Sequence, residues 1–164
     1  MPINFNADEI LTVAEQIERN GAVFYRRTAE MQTDADAKEM LAAMAAMEDD
    51  HERTFASMRA DLTEEEREPM VFDPDQELPL YLLALADRSV FDLTSDPWAR
   101  VTGKETLSDI LRMAIGVEKD SIVFYLGLKD MVPRRFGSDR IDAVIKEEMG
   151  HIATLAALAA RWAR

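Results

Sequence analysis

The sequence predicts an all-α protein folded as a four-helix bundle, and three observations carry that prediction. Apolar residues recur at helical spacing in four long segments. The first and last breaks between these segments are short and polar, whereas the middle one is long and proline-rich. The composition, 48% hydrophobic and 31% charged with only six Gly and six Pro, suits a helical chain better than a disordered or all-β one. At 164 residues the chain can bury one sizeable core, so residues 1–164 are expected to form a single domain.

The first helix is expected over about 6–31. Ile10, Ala14, Ile17, Gly21, Phe24, Tyr25 and Thr28 mark its inner face, and Asn6 with Glu9 makes a capping pair at its start. A turn around Thr33 and Asp34 leads into a second helix over about 34–62, striped by Met40, Leu41, Met44, Met47, Phe55, Met58 and Leu62. So short a turn makes the two antiparallel neighbours. The next stretch, about 63–103, opens on an acidic run at 64–66 that reads as solvated surface. Pro69, Pro74, Pro79 and Pro97 then interrupt any long helix, leaving only about 80–90 as a short helical piece.

A third helix is expected over about 104–131, through Leu107, Ile110, Leu111, Ala114, Val117, Phe124 and Leu128. Pro133 and Gly137 mark the turn into a fourth over about 138–162. Two antiparallel hairpins joined by a long crossover result. A helix of about 27 residues is roughly 40 Å long, which the prolyl segment is ample to span.

Charge and composition exclude several classes of function. A net charge of −13 is wrong for a nucleic-acid surface, which needs Lys and Arg massed on one face. With no cysteine, thiol catalysis, disulfides, iron–sulfur clusters and Cys-based zinc sites are excluded. No apolar run approaches the roughly 20 residues of a membrane span, and the start lacks the pattern of a signal peptide. A cytoplasmic protein without membrane partners is the expectation.

The chemistry lies in an internal repeat. At an offset of 100 residues, Ile17-Glu18-Arg19-Asn20-Gly21-Ala22-Val23-Phe24-Tyr25 aligns with Val117-Glu118-Lys119-Asp120-Ser121-Ile122-Val123-Phe124-Tyr125. The same offset sets Glu48-Asp49-Asp50-His51 on Glu148-Met149-Gly150-His151, and these are the chain's two histidines. Glu and His at i and i+3 share a helix face and can reach one metal ion. A Glu from each of two helices with a Glu-x-x-His from each of the other two is the arrangement of di-iron and di-manganese carboxylate bundles. Glu18 and Glu148 interrupt otherwise apolar stripes, and unpaired carboxylates in a core cost several kcal/mol each. Two divalent cations against four carboxylates and two neutral imidazoles sum to zero charge.

On these motifs the chain resembles the di-iron domain of the rubrerythrin family, within the ferritin-like superfamily. The likeness covers the four helices, and the crossover carries no matching motif. It implies a ferritin-like bundle in which Glu18 and Glu118 are terminal carboxylates, Glu48 and Glu148 bridge, and His51 and His151 each complete one metal. It also implies that Tyr25 and Tyr125 hold glutamates by their hydroxyls, although plain core packing explains those two equally well. Rubrerythrins carry a Cys-rich rubredoxin domain that delivers electrons. This chain has none, so an external electron donor is implied.

Rubrerythrins also have a further glutamate near the terminal one on the third helix. Here Ile115 and Ser121 stand one turn either side of Glu118. Glu15, one turn before Glu18, and Glu147, beside Glu148, are the possible extra ligands, though both read more readily as exposed charges, like Asp49, Asp50 and Glu52. Met40, Met44 and Met47 read as core filler.

Oxygen and imidazole ligands suit iron or manganese, with zinc as an adventitious occupant. The resemblance implies an oxidoreductase that reduces hydrogen peroxide or O₂ at a di-iron centre, in a homodimer. Oxidation of Fe(II) for iron handling, hydroxylation of a substrate, and a non-catalytic helical module with a vestigial site stand as alternatives.

Overall fold

The computed structural model describes residues 6–68, 105–129, 132–136 and 139–162. The short helix expected over 80–90 lies outside them. Among the described residues there are four long helices: α1 (Ala7–Glu30), α2 (Ala35–Ala60), α3 (Leu107–Leu128) and α4 (Asp139–Trp162). One-turn 3₁₀ segments follow α2 at Glu65–Arg67 and precede α4 at Arg134–Phe136.

Local chemistry sets the helix starts. Asn6 Oδ1 accepts the Glu9 N–H at 2.8 Å while Glu9 Oε2 accepts the Asn6 N–H at 3.1 Å, closing a capping box at α1. Asp34 caps α2 by accepting from the Ala37 N–H at 2.8 Å. The third helix begins at Leu107 rather than near 104, because Thr106 and Asp109 form a second capping box there.

Side-chain pairs fix how the helices run. Arg19 bonds Glu52, Arg26 bonds Asp49 and Arg59 bonds Thr12, so rising numbers on α1 meet falling numbers on α2. Lys129 with Asp142 sets the same antiparallel order for α3 and α4. The hairpins then meet through α1 against α3 and α2 against α4. Arg135, in the turn before α4, reaches Glu66 at 2.8 Å and ties the hairpins together at one end. Such surface pairs contribute at most about 1 kcal/mol. The core decides the stability.

That core has two apolar layers. One contains Ile10, Leu11, Phe55, Met58, Leu128 and Ile141, the other Leu41, Met44, Ile110, Leu111, Leu155 and Leu158. Fully burying a Leu, Ile or Phe side chain contributes about 1.5–3 kcal/mol, and Leu11, Leu41, Phe55, Leu111 and Ile141 are wholly buried. Among the described residues no helix is long and apolar enough to cross a membrane.

Candidate metal centre

Between the two apolar layers lies a band of buried polar side chains. Glu18 comes from α1, Glu48 and His51 from α2, Glu118 from α3, and Glu148 and His151 from α4. Each of these six is at most 4% exposed. The i, i+3 spacing of Glu48 with His51 and of Glu148 with His151 turns each pair to one face, while the helix crossings bring the four stripes together.

The six side chains sort into two overlapping groups. Glu18, Glu48, His51 and Glu148 offer ligand atoms within 4.8 Å of one another, and so do Glu48, Glu118, Glu148 and His151. Glu48 and Glu148 belong to both. His51 Nδ1 stands 3.0 Å from Glu148 Oε1, 3.4 Å from Glu18 Oε2 and 3.8 Å from Glu48 Oε2. His151 Nδ1 stands 2.9 Å from Glu148 Oε2, 3.3 Å from Glu48 Oε1 and 3.4 Å from Glu118 Oε1. The two imidazoles stack with centroids 5.8 Å apart.

Despite these approaches, the buried atoms His51 Nδ1, His151 Nδ1, Glu18 Oε2, Glu48 Oε1 and both Glu148 oxygens have no aligned hydrogen-bond partner among the described residues. Buried polar atoms left in that state are costly. A cation among them would satisfy all of them at once. The hard oxygen and imidazole donors fit two divalent metal ions, with Glu48 and Glu148 shared between them.

Burial pushes Glu18 and Glu118 well above the usual carboxylate range, and neighbouring carboxylates add to the rise. Burial also raises Glu48, but contacts with Glu18, His151 and His51 outweigh it and bring that carboxyl down to about 2. Glu148 is lowered in the same way, its burial offset by the two histidines. Burial alone would lower the histidines. The surrounding carboxylates instead raise His51 strongly, and raise His151 to about 12.

Tyr25 and Tyr125 pack in the core and also bond to the cluster. Each is buried, Tyr25 in one apolar layer and Tyr125 in the other. The Tyr25 hydroxyl donates to Glu118 Oε1 and the Tyr125 hydroxyl to Glu18 Oε1. Each tyrosine thus holds the glutamate of the opposite hairpin, and the crossed pairs show that α1 and α3 run antiparallel. Burial, first, and the nearby glutamates raise both phenols well above their ordinary range, so they stay protonated as donors.

The two further glutamates take different places. Glu15 belongs to neither ligand group. It is 6% exposed rather than out in solvent, with Arg59 Nε 2.8 Å from its Oε1. Burial raises its carboxyl and Arg59 opposes the rise. Nothing in the helical pattern of α1 separated Glu15 from a surface charge. The signal was Arg59 on the facing helix, legible only once the pairing was known. Glu147 is exposed, yet its Oε2 lies 2.9 Å from His51 Nε2, the ring nitrogen that faces away from the cluster. Asp49, Asp50 and Glu52 pair with Arg26, Arg53 and Arg19 at the surface.

Gly21 has a role that its place on the apolar stripe did not reveal. A Cβ there would stand 3.2 Å from Glu48 Oε2 and 3.3 Å from its Cδ. The bare backbone therefore makes room for a shared carboxylate. On the outer side, an open pocket of about 450 Å³ between α2 and α4 is lined by His51, Thr54, Arg140 and Glu147 among others.

No family model matches the chain, and no curated protein matches it. Among solved structures, a Thermotoga maritima protein described provisionally as a ferritin-like diiron-carboxylate protein is similar, with a TM-score of 0.69 and 24% sequence identity. The likeness covers 95% of this chain and 95% of that one. Four antiparallel helices in two hairpins, together with that superposition, give this chain the ferritin-like helical-bundle fold.

Proposed function

We propose that the chain is a di-metal carboxylate protein that holds two iron ions and serves as a rubrerythrin-like oxidoreductase, reducing hydrogen peroxide or O₂. One observation carries the reading: two buried ligand groups that share Glu48 and Glu148. The similar fold of a protein described as diiron-carboxylate supports the choice of metal. Glu18 and His51 would complete one ion, and Glu118 and His151 the other. Manganese fits the same donors, and zinc occupies them adventitiously.

A bound iron pair supplies two electrons for reducing an oxidant such as H₂O₂ to water. The chain's own residues prepare the place. Tyr125 fixes Glu18 by Oε1 and leaves Oε2 beside His51 free to ligate, while Tyr25 steadies Glu118 by the Oε1 that also faces His151. The apolar layers above and below keep bulk water away. The pocket beside His51 gives small oxidants a way in. With no cysteine in the chain, the electrons come from a separate donor, and a homodimer is the proposed assembly.

Metal analysis of protein grown in iron-supplemented medium should find two irons per chain. Stopped-flow mixing of the Fe(II)-loaded protein with peroxide should form a ferric band faster than free Fe(II) oxidises; oxidation at the free-ion rate would reject the activity. The net charge of −13 favours a second reading, in which Fe(II) is itself the substrate and is oxidised for storage. Storage needs a hollow shell of many subunits, so light scattering that finds a dimer rejects it.

A further inference from the structure

The offset of 100 residues that relates the two halves also exposes where they differ. Glu147 on α4 accepts from His51 Nε2 on α2 at 2.9 Å. By the same offset the position on α2 that corresponds to Glu147 is 47, and position 47 is Met. A thioether is at best a weak acceptor. His151 Nε2 is indeed buried with no hydrogen-bond partner among the described residues. One histidine is thus backed by a carboxylate and the other is not.

From this asymmetry we infer that the two metal positions have unequal affinities, and that Glu147 is the positioning residue that makes the His51 position the tighter one. This rests on the two-metal reading above. A metal-bound imidazole ligates through one nitrogen and donates a proton through the other. A carboxylate accepting that N–H fixes the ring's tautomer and orientation and makes the ligating nitrogen more basic. His51 presents Nδ1 to the cluster and Nε2–H to Glu147, so a metal that displaces the Nδ1 proton finds the ring already oriented and its other proton held. His151 presents Nδ1 in the same way, but nothing among the described residues takes its Nε2 proton.

Loss of a partner of this kind typically lowers metal affinity about 10- to 100-fold. The His51 position should therefore fill first, with the His151 position following at a concentration about 10- to 100-fold higher. Glu147 is 52% exposed and lies outside both apolar layers, so removing it leaves the buried core intact. Met47 is partly exposed, so a carboxylate can stand in its place.

The test is calorimetric titration of the apoprotein with Co(II), with the Co(II) ligand-field bands followed in parallel. The unaltered chain should show two steps of unequal affinity. Glu147→Ala should bring the tighter step down to the weaker one, with Glu147→Gln, which keeps an acceptor oxygen, falling between. Met47→Glu should raise the weaker step toward the tighter. Two equal steps in the unaltered chain would overturn the inference, as would Glu147→Ala lowering both steps together or neither, or Met47→Glu leaving the weaker step where it was. Each of those results leaves the two-metal reading intact. Failure to bind any Co(II) overturns both.

Discussion

Loading the apoprotein with two divalent ions at neutral pH should release about four protons per chain. Metal ligands must be deprotonated, so metal binding expels whatever protons the cluster holds. The directions of the shifts say which those are. His51, His151, Glu18 and Glu118 are all raised, whereas Glu48 and Glu148 are lowered, so the four raised groups are the expected carriers of the protons. Two imidazolium charges then balance two carboxylates before loading, and two metal charges balance four carboxylates after it. Both states of the cluster are neutral, which is what a buried site requires.

The sign follows from linkage. Each of the four groups binds its proton more tightly in the folded apoprotein than the loaded site allows, so affinity rises with pH wherever they remain protonated. Four protons make the combined binding constant climb about four decades per pH unit, about 5.4 kcal/mol. That window opens once both Glu48, at about 2, and the lowered Glu148 have lost their protons, and it closes when the first of the four groups loses its own. Calorimetry of Mn(II) binding in buffers of different ionisation enthalpy counts the protons directly. A release of two or fewer would refute the proton-shared, neutral apo cluster.

Other perturbations separate the parts of the site. Glu48→Gln removes a carboxylate common to both ligand groups, so it should weaken both ions in one titration, whereas Glu118→Gln should weaken only one. Gly21→Ala should lower metal affinity, because the new methyl meets Glu48; Gly150→Ala has nothing within 4 Å and should instead stabilise the helix by about 0.5–1 kcal/mol in urea unfolding. Tyr125→Phe should destabilise the apoprotein by about 1–3 kcal/mol in the same assay, since a buried Glu18 oxygen loses its donor, and Tyr25→Phe should match it through Glu118. A silent Tyr125→Phe would mean that packing alone holds the ring.

Much of this architecture could be read from the residues because two signals agreed. The apolar stripes placed four helices, and the Asn6–Glu9 cap located the first start within a residue. The duplicated Glu and Glu-x-x-His then named six side chains that the fold gathers in one buried band. What escaped were relations across helices. Glu15 has the sequence context of a surface charge, and its burial depends on Arg59 reaching over from α2. Glu147 is exposed by its position on α4 and matters only because His51 turns its outer nitrogen toward it. The third helix starts at Leu107, within a turn of the expected position, where Thr106 and Asp109 close a capping box.

The crossed tyrosine bonds have a consequence for kinetics. Each hairpin supplies the phenol that steadies the other's glutamate, and each ligand group draws on both hairpins. Neither half can assemble or release an ion alone. The ions would act as rivets through the seam between two prefabricated units, so their escape is tied to the seam's breathing and not to the opening of any one helix. An ion held in that way would leave no faster than the seam opens, whatever its equilibrium affinity.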